Sequence, residues 1–477
     1  MDAQVLAIDL GAESGRALKV GLDASHIIYE EVARFSNQPV CVNGTLYWDI
    51  LYLWREVSSV IEAHVSQIAA IGIDTWAVDF ALLDRDGNLL SNPVHYRDKR
   101  TNGMMDWVFE RIPRRVIFER TGIQFMQVNT LYQLASLVRC GSPLLGAAQR
   151  LLMLPDLLHY WLCGSQVCEF TNATTTQFYN PISQTWDQDI LEAVGIPSEL
   201  LPPVVSPGTV LGTYQGVPVI APATHDTASA VVGAPMTTRR SAYLSSGTWS
   251  LLGVEIDVPL INEDCYRANV TNEGGAGGRY RFLKNVMGLW IIQQCRATWL
   301  QQGIDYSYAH LAQLARDELP FRSLIQPDED LFLPPGNMPE RIVDFCRRTG
   351  QPAPETIGQF VRTVYESLAL KYRVVLDELA QLTGEPIERV HIVGGGARNE
   401  LLCQMTADAT GREVVAGPSE ATALGNAIVQ MIAMGLLDDV DSARAMLARS
   451  VDLKHYEPRN PSQWSEGLAR FLTLFPQ

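Results

Sequence analysis

One pattern constrains the fold of this chain more than any other: an apolar strand, a turn of small residues and a second strand, which occur twice. Residues 5–11 form an apolar run ending in an acid and a glycine, and a second apolar run, 17–20, follows the turn at 12–16. Residues 241–254 repeat the pattern around a Ser/Gly turn. A P-loop or dinucleotide-binding unit would continue from its glycines into a helix. The G-x-x-x-x-G-K-[ST] motif is also absent, which excludes the P-loop kinases.

The length of the chain favours two domains. At 477 residues it is well beyond the size at which a single hydrophobic core stops growing. A Pro/Thr/Arg-rich stretch around residues 233–240 is the best candidate boundary, because such segments carry few packing contacts. We therefore predict an N-terminal domain, 1–236, that binds sugar and phosphate, and a C-terminal domain, 237–477, that binds nucleotide.

Charge restricts the partners of the chain. Lys and Arg total 37 and Asp and Glu total 53, so the formal net charge is −16. Such a surface repels nucleic acid and anionic membranes, and we expect neither as a partner. An anionic nucleotide would have to be held by backbone N–H groups and a metal ion, because the general field opposes it.

The expected cellular compartment follows from patterns that the sequence does not contain. No run reaches the ~18 apolar residues of a membrane helix, and the first cation is Arg16, so we expect no signal peptide. The eight cysteines form no C-x-x-C and no zinc-like spacing. This usage is typical of small core residues in a reduced compartment, and we expect a cytoplasmic protein that is a monomer or homodimer.

A possible general base lies at a predicted strand-to-helix junction. The strand 217–221 leads to Thr224, His225, Asp226 and Thr227 at the start of a small-residue helix. A carboxylate there can accept a hydroxyl proton while it orients the hydroxyl for attack on a phosphate. The alternative is an ordinary Asp N-cap, which is the commonest role of Asp at that place.

Three glycine-containing turns could hold phosphates or adenosine. Residues 9–16 combine an acid at a strand end with a glycine turn, residues 245–248 add hydroxyls, and a triple glycine, 394–396, precedes a predicted helix at 399–410. Taken singly, the first two are better explained as ordinary hairpin turns, and a helix-start turn explains the triple glycine nearly as well. Their combination is what carries the interpretation.

Two acids flank a tryptophan in an apolar stretch. Burial of Asp74 and Asp79 would be costly without a partner, so each could bind a ligand hydroxyl or form a buried ion pair. Trp76 could stack on a sugar or belong to the core. Residues 171–176 are small and polar, and we predict a loop at the surface or lining a cleft.

Together these segments resemble the FGGY carbohydrate kinases of the actin-like ATPase superfamily, and they occur in family order along nearly the whole chain. Within the family, the loop 172–177 and the segment Asn272-Glu273-Gly274-Gly275 are most similar to the branch that phosphorylates L-rhamnulose. The segments that carry the resemblance are 9–11, 14–16, 72–80, 96–98, 172–177, 225–230, 245–250, 272–275, 283–285 and 394–396.

The resemblance implies an α/β fold of two actin-like (ribonuclease H-like) domains that close on ATP and sugar in a cleft. It implies MgATP-dependent phosphorylation of a ketose 1-hydroxyl. The positions that match ATP contacts of the family are Ala12, Glu13, Ser14, Gly15, Arg16, Thr248, Gln293 and Gly395. The positions that match sugar contacts are Ala77, His225, Asp226, Thr227 and Asn285, with Asp226 as the base and with Asp9 and Asp226 near magnesium. Ala77 stands where relatives carry glycine, and Glu13 is an unusual neighbour for phosphate.

Rival hypotheses differ in substrate or in class. The same chemistry could act on another ketose, such as L-fuculose or a xylulose. An actin-like ATPase serving as chaperone or assembly protein would need a client-binding module, and a sugar sensor would need a DNA-binding helix-turn-helix. The sequence offers neither feature.

Overall fold

The computed structural model describes residues 3–476, and its contacts divide the chain into two compact units. The first unit contains the chain up to Thr237 together with Glu255–Phe282 and Ala421–Ser450, and the second contains Thr238–Val254, Leu283–Glu420 and the chain from Val451 onwards. Two later segments thus return to the first unit. The division of the sequence into domains 1–236 and 237–477 stays a prediction.

The strands are short, as expected for an α/β protein. In chain order they are β1 (Val5–Leu10), β2 (Ser14–Asp23), β3 (His26–Ser36), β4 (Val40–Val42), β5 (Thr45–Tyr47), β6 (Ala70–Thr75), β7 (Phe80–Leu83), β8 (Arg150–Met153), β9 (Cys168–Glu169), β10 (Tyr179–Asn180), β11 (Thr185–Trp186), β12 (Val204–Val205), β13 (Val210–Tyr214), β14 (Val217–Ile220), β15 (Ser241–Ser246), β16 (Trp249–Ile256), β17 (Thr271–Gly274), β18 (Tyr280–Met287), β19 (Arg389–Val393), β20 (Glu413–Ala416) and β21 (Lys454–Tyr456).

The helices lie between and after these strands, and those within 104–147 and within 290–383 follow one another without an intervening strand. In chain order they are α1 (Ile50–His64), α2 (Met104–Phe109), α3 (Arg114–Thr121), α4 (Thr130–Arg139), α5 (Pro143–Ala147), α6 (Leu154–Cys163), α7 (Phe170–Ala173), α8 (Gln188–Val194), α9 (Asp226–Val232), α10 (Glu263–Ala268), α11 (Trp290–Gln301), α12 (Tyr308–Arg316), α13 (Met338–Arg348), α14 (Ile357–Thr383), α15 (Glu400–Thr410), α16 (Ala421–Ala433), α17 (Val440–Ser450) and α18 (Pro461–Leu474).

The main sheet of the first unit has the order β13-β14-β6-β1-β2-β3. β1 is buried along its whole length, which its apolar sequence requires, and it pairs antiparallel with β2 and parallel with β6. Parallel pairing aligns the ends of β1 and β6, so the acids Asp9 and Asp74 lie side by side. Helix α16 packs on the same strands. The predicted hairpin at the start of the chain is confirmed.

The second unit is built on a sheet in which β15 lies between β16 and β19, followed by β20 and β21. β15 and β16 form the predicted second hairpin, with Ser246 opposite Ser250 across the turn. β15 and β19 run parallel, so the Ser/Gly turn and the triple glycine end at the same edge of the sheet. The predicted helix after the glycines is α15, whose N-cap Asn399 accepts a hydrogen bond from the backbone of Leu402.

One local prediction is wrong. Residues 171–176 are not a surface loop, because α7 and a short 3-10 helix occupy them and all six residues are buried. The hydroxyl groups bond to backbone carbonyls one turn earlier, as in Thr174 to Thr171 and Thr175 to Asn172. These internal bonds satisfy the hydroxyls of Thr174, Thr175 and Thr176, so a threonine-rich sequence can be packed inside.

Two expectations about composition can be compared with the structure. Within residues 3–476, no helix is both long enough and apolar enough to span a membrane. The cysteines at 168, 265, 295, 346 and 403 are buried, as expected for small core residues.

Candidate active site

Three carboxylates converge where strands of the first unit end. The register places Asp9 of β1 beside Asp74 of β6 and opposite Arg16 of β2. A bridge between Thr75 and His225 brings the chain before α9 to the same edge of the sheet. Asp226, the first residue of α9, therefore lies near the acids that begin the chain. The geometry brings together residues that are separated by more than 200 positions in the sequence.

Asp226 has the electrostatics of a base that can work near neutral pH. Burial, followed by the charge of Asp9, raises the pKa of Asp226 to about 7, while hydrogen bonds from Thr227 oppose the rise. Its side chain still exposes 26% of its surface, so a small molecule can reach it. The Thr227 hydroxyl donates to Asp226 Oδ1 at 3.1 Å. Asp226 is not the N-cap, since His225 occupies that position.

Asp74 differs from Asp226 because it is completely buried. Its Oδ2 accepts a 2.6 Å hydrogen bond from Asn426 of α16, while its Oδ1 has no hydrogen-bond partner among the described residues. Burial and then the charge of Asp9 raise the pKa of Asp74 well above its usual range. Gly72 makes the contact with α16 possible, because a Cβ there would lie 2.8 Å from Asn426 Oδ1. Asp74 therefore anchors α16 to the end of β6 through the Asn426 amide.

His225 is held by a buried arginine. Its Nδ1 lies 2.9 Å from Nη2 of Arg281 and 3.4 Å from Oε2 of Glu273, and its Nε2 lies 3.5 Å from Asp226 Oδ1. Burial, followed by the charge of Arg281, holds the pKa of His225 well below its usual value. The ring is therefore neutral, and its two nitrogens have opposite hydrogen-bonding roles.

The turn after β1 is pinned from both sides. The Gly11 N–H donates to the Ser14 carbonyl, and Asn37 donates its side-chain amide to the Gly11 carbonyl and its backbone N–H to the Glu13 carbonyl. Gly15 is buried against side chains that leave no room for a Cβ. Glu13 is exposed, and Arg16 Nε lies 3.3 Å from Asp9 Oδ2. The segment 12–16 is thus a rigid turn next to the carboxylates.

Asp79 takes neither of the roles that its sequence suggested. Its fully buried carboxylate accepts hydrogen bonds from the indoles of Trp48 (2.6 Å) and Trp76 (2.9 Å) and from the amide of Gln133 (2.9 Å). Neutral donors therefore satisfy it, and none of the cations among residues 3–476 pairs with it directly. Burial raises the pKa of Asp79 to about 6 despite these donors. Trp76 is buried, with its ring centroid 4.0 Å from that of Trp48, so it belongs to the core.

The loop that carries Ala77 has a strained backbone conformation at Val78. Val78 has a φ of +67°, a left-handed conformation that a β-branched residue rarely adopts. Its carbonyl accepts hydrogen bonds from Thr130 and Gln133, which hold it there. Ala77 itself is half-buried. A strained, over-determined loop beside a cluster of carboxylates is typical of a ligand-binding position.

In the second unit, the turn between β15 and β16 is tied to the start of α11. Gly247 and Thr248 offer their carbonyls to the backbone N–H groups of Leu289 and Trp290. Gln293 lies in the first turn of α11, and its N–H bonds to Leu289. The structure thus brings two of the sequence-predicted nucleotide residues, Thr248 and Gln293, into one local assembly.

The three glycines after β19 have three different requirements. Gly394 has a φ of +79°, which favours glycine, and a Cβ on Gly396 would lie 2.5 Å from Ser246 Cβ. A Cβ on Gly395 would meet nothing within 4 Å, and Gly395 is exposed. The protein itself therefore requires glycine at 394 and 396, while at 395 the space beside the backbone is open to a ligand.

Asn285 lies in β18 at a half-buried position, next to a Lys284–Glu378 ion pair of 2.9 Å. Sequence reasoning gave no role to Arg281 or Asn426, although each touches a site residue. No local signal could have identified Asn426, because it lies 352 positions from Asp74. Arg281 sits in an apolar strand, and a charge there is a usable signal of a buried partner.

The carboxylates are better suited to a cation that keeps some of its water ligands than to one enclosed entirely by protein ligands. In the described part of the chain, no three His, Cys, Asp or Glu side chains come together as a metal site. Magnesium commonly binds through one or two carboxylates and keeps its water and phosphate ligands. The raised pKa values of Asp74 and Asp226 reflect in part the repulsion of nearby negative charge, which a cation would relieve.

Comparisons with known proteins agree with this arrangement. Residues 4–233 match the FGGY family of carbohydrate kinases, N-terminal domain, and residues 242–434 match its C-terminal domain. The chain belongs to the FGGY family of carbohydrate kinases. It is thus a sugar kinase with the two-domain, actin-like α/β architecture that the resemblance implied, and kinases of this family use ATP.

The similar curated proteins agree in their names. The chain is 45% identical to a rhamnulokinase of Bacteroides thetaiotaomicron over 99% of both chains. It is 43% identical to a rhamnulokinase of Pectobacterium carotovorum over 98% of this chain and 96% of that one.

Solved structures support the fold alone, since identity is low. A ligand-bound xylulose kinase from Lactobacillus acidophilus has a TM-score of 0.78 at 17% identity, covering 99% of this chain and 96% of that one. A glycerol kinase from Plasmodium falciparum, solved with ADP, has a TM-score of 0.74 at 16% identity, covering 99% and 98%.

Proposed function

We propose that this kinase transfers the γ-phosphoryl group of MgATP to the 1-hydroxyl of L-rhamnulose, giving L-rhamnulose 1-phosphate and ADP. The observation that carries the proposal is Asp226, an accessible carboxyl with a pKa of about 7 at the start of α9. The substrate rests on the rhamnulokinases that share 45% and 43% of their residues with nearly the whole chain. The cysteine usage, without C-x-x-C or zinc-like spacing, favours a cytoplasmic setting.

Asp226 acts as the general base in this proposal. Its Oδ1 is engaged by Thr227 and faces His225, so we assign Oδ2 to the sugar hydroxyl. The carboxylate accepts the hydroxyl proton and orients the oxygen toward the phosphorus, and general-base catalysis of this kind contributes about 10²–10⁴-fold. Ala77, His225, Thr227 and Asn285 bind the sugar.

Two sets of residues hold the nucleotide in this proposal. The pinned turn Ala12, Glu13, Ser14, Gly15 and Arg16 offers backbone N–H groups to phosphate, and Thr248, Gln293 and Gly395 contact ATP in the second unit. Asp9 and Asp226 are the proposed magnesium contacts. When bound, the ion neutralises charge that develops on the transferred phosphoryl group. The open space beside Gly395 supports a flat contact with the adenosine portion.

The test is ADP release by the purified protein with MgATP and a panel of ketoses: L-rhamnulose, L-fuculose, D-xylulose and L-xylulose. We expect the highest kcat/KM with L-rhamnulose. Preference for another ketose would keep the assignment as a kinase and change the proposed substrate. Steady ATP hydrolysis without response to any sugar would refute the kinase proposal.

The matched variant is Asp226→Asn, which keeps the shape of the side chain and removes the base. We expect kcat to fall by about 10²–10⁴-fold. The control is Asp84→Asn in an exposed turn, where the carboxylate bonds only with residues of its own turn. Near-normal turnover by folded Asp226→Asn would exclude Asp226 as the base.

A further inference from the structure

The segment Asn272-Glu273-Gly274-Gly275, distinctive in the sequence, has a structural purpose within the first unit. The Asn272 amide donates to the Gly122 carbonyl at 3.1 Å, which anchors β17. A Cβ on Gly274 would lie 2.7 Å from the Phe170 ring, and a Cβ on Gly275 would lie 2.9 Å from a backbone carbonyl. Both glycines are therefore needed for the chain to return tightly into β18. The return brings Arg281 to the carbonyl of Gly274.

Arg281 is a fully buried cation with few partners. Its Nε donates to the Gly274 carbonyl at 2.8 Å, and its Nη2 lies 2.9 Å from His225 Nδ1 and 3.0 Å from Glu273 Oε2. Its Nη1 has no hydrogen-bond partner among the described residues. Burial of a guanidinium is costly, and a group kept at such cost calls for a reason beyond stability.

The contact with His225 determines where the imidazole proton lies. Arginine carries only donors, so the nitrogen it faces must accept. The Glu273 carboxylate lies farther from the same nitrogen, at 3.4 Å against 2.9 Å for Arg281, so the guanidinium contact assigns the lone pair to Nδ1 of His225 and the ring proton to Nε2. Nε2 lies 3.5 Å from Asp226 Oδ1, longer than a normal hydrogen bond, so this tautomer places the ring proton on the side of the carboxylate. The other tautomer would set an N–H against the guanidinium and a lone pair against the carboxylate.

We propose that Arg281 is a positioning residue for phosphoryl transfer: it fixes His225 as the Nε2–H tautomer, which presents an N–H to Asp226 Oδ1 and leaves Oδ2 to receive the hydroxyl. This inference rests on the proposed role of Asp226 as the base. Arg281 touches neither proton nor substrate in this scheme. Glu273 balances its charge, and the two glycines set the hairpin that delivers both residues.

The protein offers a matched pair of double variants. Arg281→Met with Glu273→Met removes the buried ion pair without leaving a lone charge, a replacement that is often neutral for stability. Arg444→Met with Glu255→Met removes another ion pair of the same unit, in which Arg444 holds the carbonyls of Val231 and Val232 at the other end of α9, and Arg279, which also pairs with Glu255, keeps Asp441. This control removes contacts at the end of α9 that is far from Asp226 and leaves the contact with His225 intact.

The direct measurement is the ¹⁵N spectrum of the histidine side chains in the intact protein, with His225 assigned by its loss in His225→Gln. We expect the protonated nitrogen of His225 to be Nε2 in the wild type. In the Arg281/Glu273 double variant we expect a mixture of tautomers. A wild-type proton on Nδ1 would overturn the proposal, whether or not any variant folds.

The kinetic measurement uses the best ketose of the panel. We expect kcat of the Arg281/Glu273 variant to fall by about 10–100-fold, the range for losing the orienting partner of a functional histidine, with KM for ATP unchanged. The control should keep wild-type kcat. Wild-type turnover in the first variant, or an equal loss in the control, would overturn the proposal. Failure of the proposed function is separate, because it would appear as a wild-type protein without ketose kinase activity.

Discussion

Helices α9 and α16 approach so closely that their backbones touch, and Gly425→Ala tests this contact. A Cβ on Gly425 would overlap the carbonyl of Ser229 and lie 2.7 Å from its carbon, and a Cβ on Gly233 would lie 2.8 Å from the carbonyl carbon of Ala421. Both obstacles are backbone atoms, so no change of rotamer can relieve them. Because carbon atoms pack at about 3.5–4.0 Å, the helices would have to separate by roughly 1 Å.

The expected magnitude follows from that displacement. Overpacking of this kind costs about 1–3 kcal/mol, and alanine returns only about 0.5–1 kcal/mol through its better helix propensity. We therefore expect Gly425→Ala to lose about 1–2 kcal/mol of stability. Since α9 begins at Asp226, a shift of about 1 Å also misplaces the base, and such a displacement can lower kcat by about 10²-fold.

The assay is urea unfolding followed by tryptophan fluorescence, together with kcat on the best ketose. The control is Gly146→Ala in α5, where the added Cβ meets nothing within 4 Å and the backbone is not left-handed. This control should be as stable as the wild type or slightly more so. If Gly425→Ala kept both the wild-type midpoint and the wild-type kcat, the close contact and its role in placing Asp226 would be refuted.

Three further outcomes follow from buried charge. Asp226 works in its ionised form and has a pKa of about 7, so kcat/KM should rise with pH through about 7. Below that pH, kcat/KM should fall about tenfold per pH unit, and a flat pH–rate profile would contradict the assignment. Trp48→Phe removes a hydrogen-bond donor from buried Asp79, whose pKa is about 6. Urea unfolding at pH 8 should show that the free energy of unfolding falls by about 1.5–3 kcal/mol, and the loss should be smaller at pH 5, where the carboxyl is protonated. Arg444→Met removes the closer of two cations that pair with Glu255, since Arg279 stays at 3.3 Å, and it takes a donor from the buried carbonyls of Val231 and Val232. It should cost about 1–3 kcal/mol in the same assay, while equal stability would show that these contacts are dispensable.

Local patterns predicted much of the fold. The alternation of apolar runs with glycine turns identified β1, β2, β15 and β16, since those features depend on neighbours in sequence. The junction before Asp226 was predicted for the same reason. The predictions for ATP and sugar contacts depended on resemblance, because no local pattern specifies a ligand.

Long-range contacts set the limit of sequence reasoning. The segment 171–176 has the composition of a loop, yet it is buried because Glu169 accepts hydrogen bonds from the backbone and hydroxyl of both Thr171 and Thr224. Asn172 adds a bond to the Thr224 hydroxyl at 3.0 Å. Thr224 lies some 50 positions from this segment, so composition alone could not reveal the contacts that hold the segment inside.

Three aspartates show why a buried acid in a sequence does not define its own function. Burial raises the pKa of Asp74, Asp79 and Asp226, so desolvation does not distinguish them. Their donors do. Asp79 has both oxygens occupied by indole and amide N–H groups, and Asp74 has one oxygen held by an amide within the core. Only Asp226 combines a pKa near neutrality with an exposed surface. A carboxyl can accept a substrate proton only where the protein has left an oxygen within reach, and in this triad that condition selects Asp226.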